Sequence, residues 1–347
     1  MRFSVVVPIY NVAGFIERGM KELLKQDYQE AWEIILVDDG STDGSADIID
    51  RIAFANPRVR VYHQPNSGAG AARNTGIDNA VGEYICFYDI DDKIESSLLS
   101  RLDRALLKAN NPDMAVFGYD ETDLKESYLF ERVFPALDLR TNLQVRDNWK
   151  QYLSGIIGGN NGFVWNKTYR RDFLNRFQLR FENQRIQQDE VFNLKVYAKV
   201  DTLTLVPEIL YHYIVYSSHN TRSHYIPNRL EIYKSVMTAF RLLLDEWRLS
   251  DTIIDSWLAK RFFRNIVYTL NYNSFHYESK IKSAERRKEI LSILMDSDVQ
   301  TVAKSVQSSE ISFMERLYRL AIRKKSVFLF STIRQLDLLK CKIMRYG

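Results

Sequence analysis

The sequence predicts an α/β fold with a mainly parallel sheet, followed by an α-helical domain. Three observations carry this. Over residues 1–120, short β-branched runs alternate with amphipathic stretches of helical period, the pattern of βαβ units. From Asn228 onward, apolar residues recur at three- and four-residue spacing instead. The formal net charge of +4 also divides unevenly, with −5 on residues 1–227 and +9 on residues 228–347.

In order, Phe3–Val7 reads as a buried strand, Val12–Lys25 as a helix, Glu33–Val37 as a strand and Ser45–Phe54 as a helix. Val59–Tyr62 is the third strand, Gly68–Ala80 the next helix, Tyr84–Phe87 the fourth strand, Ser96–Lys108 a helix and Met114–Phe117 the fifth strand. The later helical runs are Arg229–Trp247, Ile253–Leu270, Ala284–Leu294 and Met314–Leu339. The expected division is therefore a first domain at 1–227 and a basic helical domain at 228–347.

Composition excludes several classes. With 347 residues, 46% hydrophobic and 27% charged, the chain can bury a sizeable core. Two cysteines, Cys86 and Cys341, cannot staple a protein this large, so a reducing compartment is expected. The apolar N-terminal run is too short for a signal sequence. No stretch reaches the roughly 18 uncharged apolar residues of a membrane span. A cytoplasmic protein is expected, with lying on a membrane left open.

Each early strand ends in a polar cluster. These are Pro8-Ile9-Tyr10-Asn11, then Asp38-Asp39-Gly40-Ser41-Thr42-Asp43-Gly44-Ser45, then Asn66 to Gly76, then Asp89-Ile90-Asp91-Asp92. One such cluster is ordinary turn and cap chemistry. Four in register at the carboxyl edge of one sheet mark a ligand crevice. In the last, carboxylates crowd where like charges repel, which a divalent cation would relieve; oxygen ligands favour Mg²⁺ or Mn²⁺ together with substrate phosphates. Gly68-Ala69-Gly70-Ala71-Ala72 is not a dinucleotide fingerprint, because Arg73 replaces the third glycine and the run follows the third strand. It is still placed to start a helix whose amides face an anion.

Together with Gly82-Glu83-Tyr84-Ile85, these segments resemble the GT-A glycosyltransferases of family 2, inverting enzymes that use nucleotide-diphospho-sugars. The resemblance spans about residues 1–220 and implies a nucleotide-sugar half over about 1–120 and an acceptor half over about 121–227. It implies that Pro8, Tyr10, Asp39 and Arg73 lie on the nucleotide side, that Asp38 supports the same pocket, that Asp89 lies near ribose and diphosphate, and that Asp91 ligates the metal. Ile90 departs from the family pattern, which has a small residue there. Gln188-Asp189-Glu190-Val191-Phe192 matches the segment carrying the acceptor-side base, with Gln188 in place of the usual Glu. Asp189 aligns with the base, and Glu190 competes with it. Asp189 also reads as the cap of a helix over Val191–Lys199.

Trp165-Asn166-Lys167-x-Tyr169 and Leu210-Tyr211-His212-Tyr213 resemble family segments on the acceptor side. Trp165 can stack on a sugar or wall the core. His212 and His219 have no metal-ligand spacing with the cysteines and read first as structural residues.

The implied function is inverting, metal-dependent transfer of a hexose-type sugar from a UDP-sugar to a glycan or lipid-linked acceptor hydroxyl, in bacterial surface or capsular polysaccharide assembly. The alternatives are a non-catalytic nucleotide-sugar-binding or membrane-scaffold protein of the same fold, and a sugar-phosphate nucleotidyltransferase. The latter calls for a Gly-rich loop after the first strand, which Pro8-Ile9-Tyr10-Asn11 is not. From Arg316 to Arg345 there are nine Lys or Arg and one acid, Asp337, among many apolar residues. This basic amphipathic tail is suited to an anionic membrane surface or to packing with a solvated basic face. No nucleic-acid-binding motif accompanies the charge.

Overall fold

The computed structural model describes residues 1–124, 127–154, 162–216, 224–249 and 251–346, without the side chains of 340–346. The chain forms two compact units, Met1–His219 and Asn220–Gly347.

The first unit starts with β1 (Phe3–Ile9), α1 (Ala13–Leu24), β2 (Trp32–Asp38), α2 (Ser45–Ala55), β3 (Val59–His63), α3 (Ala69–Asn79) and β4 (Tyr84–Phe87). Strand β1 pairs in parallel with β2 on one side and β4 on the other, and β2 pairs in parallel with β3. A strand covered on both faces needs a continuous apolar run, and Phe3, Val5, Val6, Val7 and Ile9 are each at most 1% exposed. Because its neighbours lie on opposite sides, the connections leaving β1 and β4 diverge and open a crevice at their carboxyl ends.

Next come β5 (Lys93–Ile94), α4 (Leu98–Lys108), β6 (Met114–Asp123), β7 (Tyr128–Arg132), β8 (Leu137–Leu139), α5 (Asn142–Asn148), β9 (Lys167–Arg170), α6 (Arg171–Arg176), α7 (Gln188–Lys199) and β10 (Leu203–Val215). The sheet order is β3-β2-β1-β4-β9-β6-β10-β5, with β7 on β6 and β8 on β10. Strand β9 runs antiparallel to both β4 and β6. A parallel, nucleotide-fold half thus joins a mixed half at β9. Helix α1 lies so close over the turn after β4 that a methyl group at Gly19 would overlap the Ile90 carbonyl oxygen. The bulky Ile90 is 2% exposed and sits in the core beneath this helix. Ile90, where the resemblance implies a small residue, therefore packs into the core.

The second unit holds α8 (Arg229–Glu246), α9 (Thr252–Tyr268), α10 (Ser283–Met295), α11 (Ser297–Ser305), α12 (Phe313–Arg323) and α13 (Val327–Tyr346). The apolar run predicted as one helix over Met314–Leu339 is two. Lys325 adopts φ +54°, and the amides of Lys325 and Ser326 return to the carbonyls of Ile322 and Ala321. This is a left-handed helix stop that glycine usually signals. No helix among the described residues is long and apolar enough to cross a membrane.

Candidate active site

The loops after β1 and β2 are zipped together. Asn11, in the left-handed region, accepts the Thr42 N–H at 2.8 Å and donates its own N–H to Ser41 Oγ at 3.1 Å. Asp43 accepts from Ala13 N–H and Ser45 Oγ–H, and Ser45 Oγ in turn accepts from Val12 N–H. Most of the Ser-Thr-Asp-Gly-Ser run therefore shapes the loop. Pro8 remains within β1, paired with Val37. The ring that this frame presents is Tyr10, 49% exposed.

The adjacent aspartates are both buried. Asp38 accepts the Ser41 N–H and faces His63 Nδ1 at 3.1 Å, while His63 Nε2 faces Asp50 at 3.0 Å. Burial works against the Asp38 charge, but the bonds from Ser41 and His63 outweigh it and hold the carboxyl below its ordinary range. Asp39 accepts from Gln64 Nε2 at 2.7 Å, Ser67 N–H at 2.8 Å and Gly68 N–H at 2.7 Å. The anion facing the amides that lead into α3 is thus the protein's own Asp39. It sets the path of the loop bordering the crevice.

The acidic turn after β4 resolves its crowding by dividing labour. Asp92 is buried, accepts from Tyr211 Oη–H at 2.7 Å and Ile214 N–H at 2.9 Å, and is pushed well above the usual carboxyl range by burial and by Asp91 and Asp89. It anchors β10 to the turn. The Asp91 carbonyl accepts from Arg18 and from Tyr216 Oη–H. Asp89 receives the Arg73 guanidinium at 3.0 Å.

Arg73 joins the two sides. Its side chain is 5% exposed, and its other terminal nitrogen donates to Asp189 at 2.9 Å. One planar fork therefore spans a carboxylate from the turn after β4 and one from the first turn of α7. Burial opposes the charge, but Asp189 and Asp89 together hold the guanidinium above its ordinary value. Its ring contact is Phe181, 5.7 Å from the guanidinium carbon, and Phe181 stacks on Phe192 of α7 at 4.1 Å. Asn74 locks the approach by exchanging hydrogen bonds with both backbone groups of Phe181. Asp189 stays 23% exposed at the crevice, whereas Glu190 is buried. Asp189, Asp89 and Arg73 thus form one constellation, with Asp91 two residues further along the turn.

Two residues of the expected acceptor side, Trp165 and His212, take structural places. Trp165 is 3% exposed, stacked on Tyr211 and Phe163 at 4.3 Å each and edge-on to Tyr119. It walls the core, because no ring face remains for a sugar. Both nitrogens of His212 face carboxylates, Asp120 and Glu95, each at 3.0 Å; it clamps β10 to its neighbours. His219 lies outside the described residues. The sequence reading assigned no role to Arg18, Asn74, Lys167 and Tyr211. The partners of Arg18, Asn74 and Tyr211 lie far along the chain, whereas Lys167 bonds the nearby Phe163 and Asn166.

Among the described residues no three His, Cys, Asp or Glu side chains form a metal cage. The turn carries two carboxylates, Asp89 and Asp91, that would serve a cation. One or two carboxylates completed by phosphate oxygens is the donor set of Mg²⁺ or Mn²⁺. The residues therefore fit a cation that arrives with a diphosphate.

A parallel sheet with its ligand crevice at β1 and β4, bordered by an acidic turn, defines a nucleotide-fold protein of GT-A architecture. The model of Glycosyl transferase family 2 matches residues 4–178, and the chain belongs to that family. The glycosyltransferase EpsJ of Bacillus subtilis is 35% identical over 212 residues, covering 60% of this chain and 60% of its own length. A cholesterol galactosyltransferase of Borreliella burgdorferi is 26% identical over 336 residues, covering 91% of this chain and 90% of the relative. Among solved structures, S. aureus TarS 1–349 in complex with UDP-GlcNAc superposes with a TM-score of 0.61 at 20% identity, over 98% of this chain and 92% of that one. That likeness shows the fold, including a helical region after the GT-A sheet.

Proposed function

We propose that this chain moves a hexose from a UDP-sugar to an acceptor hydroxyl with inversion, with Asp189 as general base, in surface polysaccharide assembly. The observation that carries the reading is the Arg73 fork, which ties Asp189 to the acidic turn where the diphosphate is proposed to lie. Tyr10 offers a face to the base, and the loop held by Asp39 borders the nucleotide. Asp91 and the diphosphate would hold a divalent cation, which would supply charge neutralisation to the leaving group. An acceptor hydroxyl is a poor nucleophile until its proton is taken during attack. Asp189, fixed at a helix start and open to the crevice, is the carboxylate positioned to take it. Attack from its side on the anomeric carbon, with the diphosphate leaving opposite, inverts the centre. The donor class is supported by UDP-GlcNAc in the TarS structure.

The acceptor is proposed to be a glycan or lipid-linked hydroxyl presented at an anionic membrane surface. A relative that acts on cholesterol aligns through the helical unit as well. In that unit Phe313 is 70% exposed, Phe328 81% and Leu320 46%, on two helices of which α12 also carries Arg316, Arg319 and Arg323, with Lys324 and Lys325 in the turn between them. Apolar area and near-surface basic charge both favour such a surface.

The central test is Asp189→Asn assayed against a panel of UDP-sugars with Mn²⁺ or Mg²⁺. Turnover is expected to fall by about 10²–10⁴ with UDP binding retained; near-wild-type turnover would overturn the base assignment. For the membrane, vesicles containing anionic lipid are expected to recruit the wild-type chain more than the Phe313→Ser/Phe328→Ser variant. Equal recruitment would remove that surface.

A further inference from the structure

One buried charge in this unit is unused by the reading above. Lys167, the first residue of β9, is 1% exposed. Its ammonium donates to the Phe163 carbonyl and to Asn166 Oδ1 at 2.8 Å, both neutral oxygens. The Phe163 carbonyl also accepts Asn193 Nδ2–H at 2.9 Å. Asn193 lies four residues after Asp189 on α7, on the same helical face one turn deeper. Its own oxygen is fixed by Tyr169 Oη–H at 2.7 Å. The shared carbonyl therefore places the ammonium head about one helical turn beneath the carboxylate that faces the crevice.

We propose that Lys167 is a positioning residue for Asp189, acting through its charge from below the site to set how strongly that carboxylate holds a proton. This rests on Asp189 being the base. Two cations bear on Asp189. Arg73 is a permanent partner in direct contact. Lys167 is a removable one, because burial pushes its ammonium down to about 7, against the opposing pull of Asp189. The other ionisable groups on the elements packed around it are Glu190, Lys195, Tyr197 and Lys199 on α7, Tyr169 and Arg170 on β9, Tyr84 and Cys86 on β4, and Tyr119, Asp120, Glu121 and Asp123 on β6, which pairs with β9 at Lys167. Burial keeps Tyr169 and Tyr197 in the neutral form and pushes Cys86 up to about 12. Near neutrality the titrating neighbour of the base is thus Lys167, with Glu190 the carboxylate to control for.

The sign follows. Below about pH 7 the charged ammonium favours ionised Asp189 and makes it a weaker proton acceptor. Above it, neutral Lys167 leaves Asp189 more basic. A nearby charge moves a carboxylate by about one unit or more, and partial proton transfer in the transition state converts this to roughly a threefold rise in kcat across pH 6–8.

The test is the pH profile of kcat at saturating donor and acceptor. Wild type should show the rise. Lys167→Met, similar in volume and uncharged, should be flat at the upper level, and Lys167→Arg flat at the lower. Glu190→Gln should keep the rise. A wild-type profile without a limb near 7, or a folded Lys167→Met that keeps it, would overturn the proposal, as would loss of the limb in Glu190→Gln. Turnover of Asp189→Asn separates the two ideas. If Asp189→Asn is nearly inactive while Lys167→Met keeps the limb, only the Lys167 proposal fails. If Asp189→Asn turns over normally, the base assignment fails.

Discussion

The two walls of the crevice are held in different ways. On the proposed donor wall, carboxylates are consumed mainly by backbone amides of adjoining loops: Asp43 by Ser45 and Ala13, Asp38 by Ser41, Asp39 by Ser67 and Gly68. On the proposed acceptor wall, Asp189 is held by the side chain of an arginine 116 positions away, and the lysine beneath it by a carbonyl shared with α7. Backbone amides in a tight loop hold their geometry locally. A side-chain strut holds only while both of its ends are packed. The acceptor wall should therefore be the more easily disturbed by single substitutions.

Arg73→Gln is the harshest test of that difference. It leaves Asp89 and Asp189 facing each other in a partly buried site without their cation. Breaking a buried pair at one partner costs about 3–5 kcal/mol. Thermal unfolding should register that loss, and turnover should fall through displacement of Asp189. Unchanged stability would mean the strut is dispensable.

Lys167→Met should act in the opposite direction, because this cation has neutral oxygens rather than a carboxylate in contact. Between its folded value of about 7 and its ordinary value of 10.5, the unfolded chain binds more protons, so stability rises with pH across that window. The burial cost is present in full below pH 7. Removing the ammonium should therefore stabilise the protein at pH 6, by an amount on the order of a few kcal/mol, with the gain fading toward pH 10. A destabilised variant at pH 6 would show that the two hydrogen bonds outweigh the burial cost.

Asp39→Asn probes the donor wall. The substitution turns one carboxylate oxygen into a donor, facing either the Gly68 N–H or the Ser67 N–H with Gln64 Nε2. A lost bond of this kind costs about 1–3 kcal/mol. UDP affinity, measured by calorimetry, should drop more than kcat does. Equal affinity would mean the loop after β3 keeps its path unaided.

What could be read from the sequence follows the same division. The parallel half was legible because strands buried on both faces need unbroken apolar runs, and their loops carry turn chemistry within a few residues. The helix break at Lys325 was hidden because a lysine occupies the left-handed stop. Trp165 was ambiguous because exposure is a tertiary property, decided here by the rings of Phe163, Tyr119 and Tyr211. The Arg73 strut was invisible for the same reason. Its residues were each identified, but Arg73 and Asp89 as nucleotide-side residues and Asp189 as the base, since nothing local in the chain says that Arg73 faces Asp189.

The mildest expected effect lies back on the donor wall, at His63. The hydrogen bond with Asp38, together with Asp50, raises the imidazole above its ordinary value despite partial burial. A histidine raised in the folded state contributes stability in full below its unfolded value of about 6.5 and loses it as pH rises through the folded value. The ring is 44% exposed, so solvent screens the pair and the contribution stays below about 1 kcal/mol. His63→Asn should therefore lower the unfolding temperature slightly at pH 5.5 and leave it unchanged at pH 8. An equal loss at both would assign the role to packing of the ring. A loss confined to pH 5.5 would show that even this exposed imidazole tunes the loop holding Asp38, making the donor wall the acid-stabilised side and the Lys167 side the acid-penalised one.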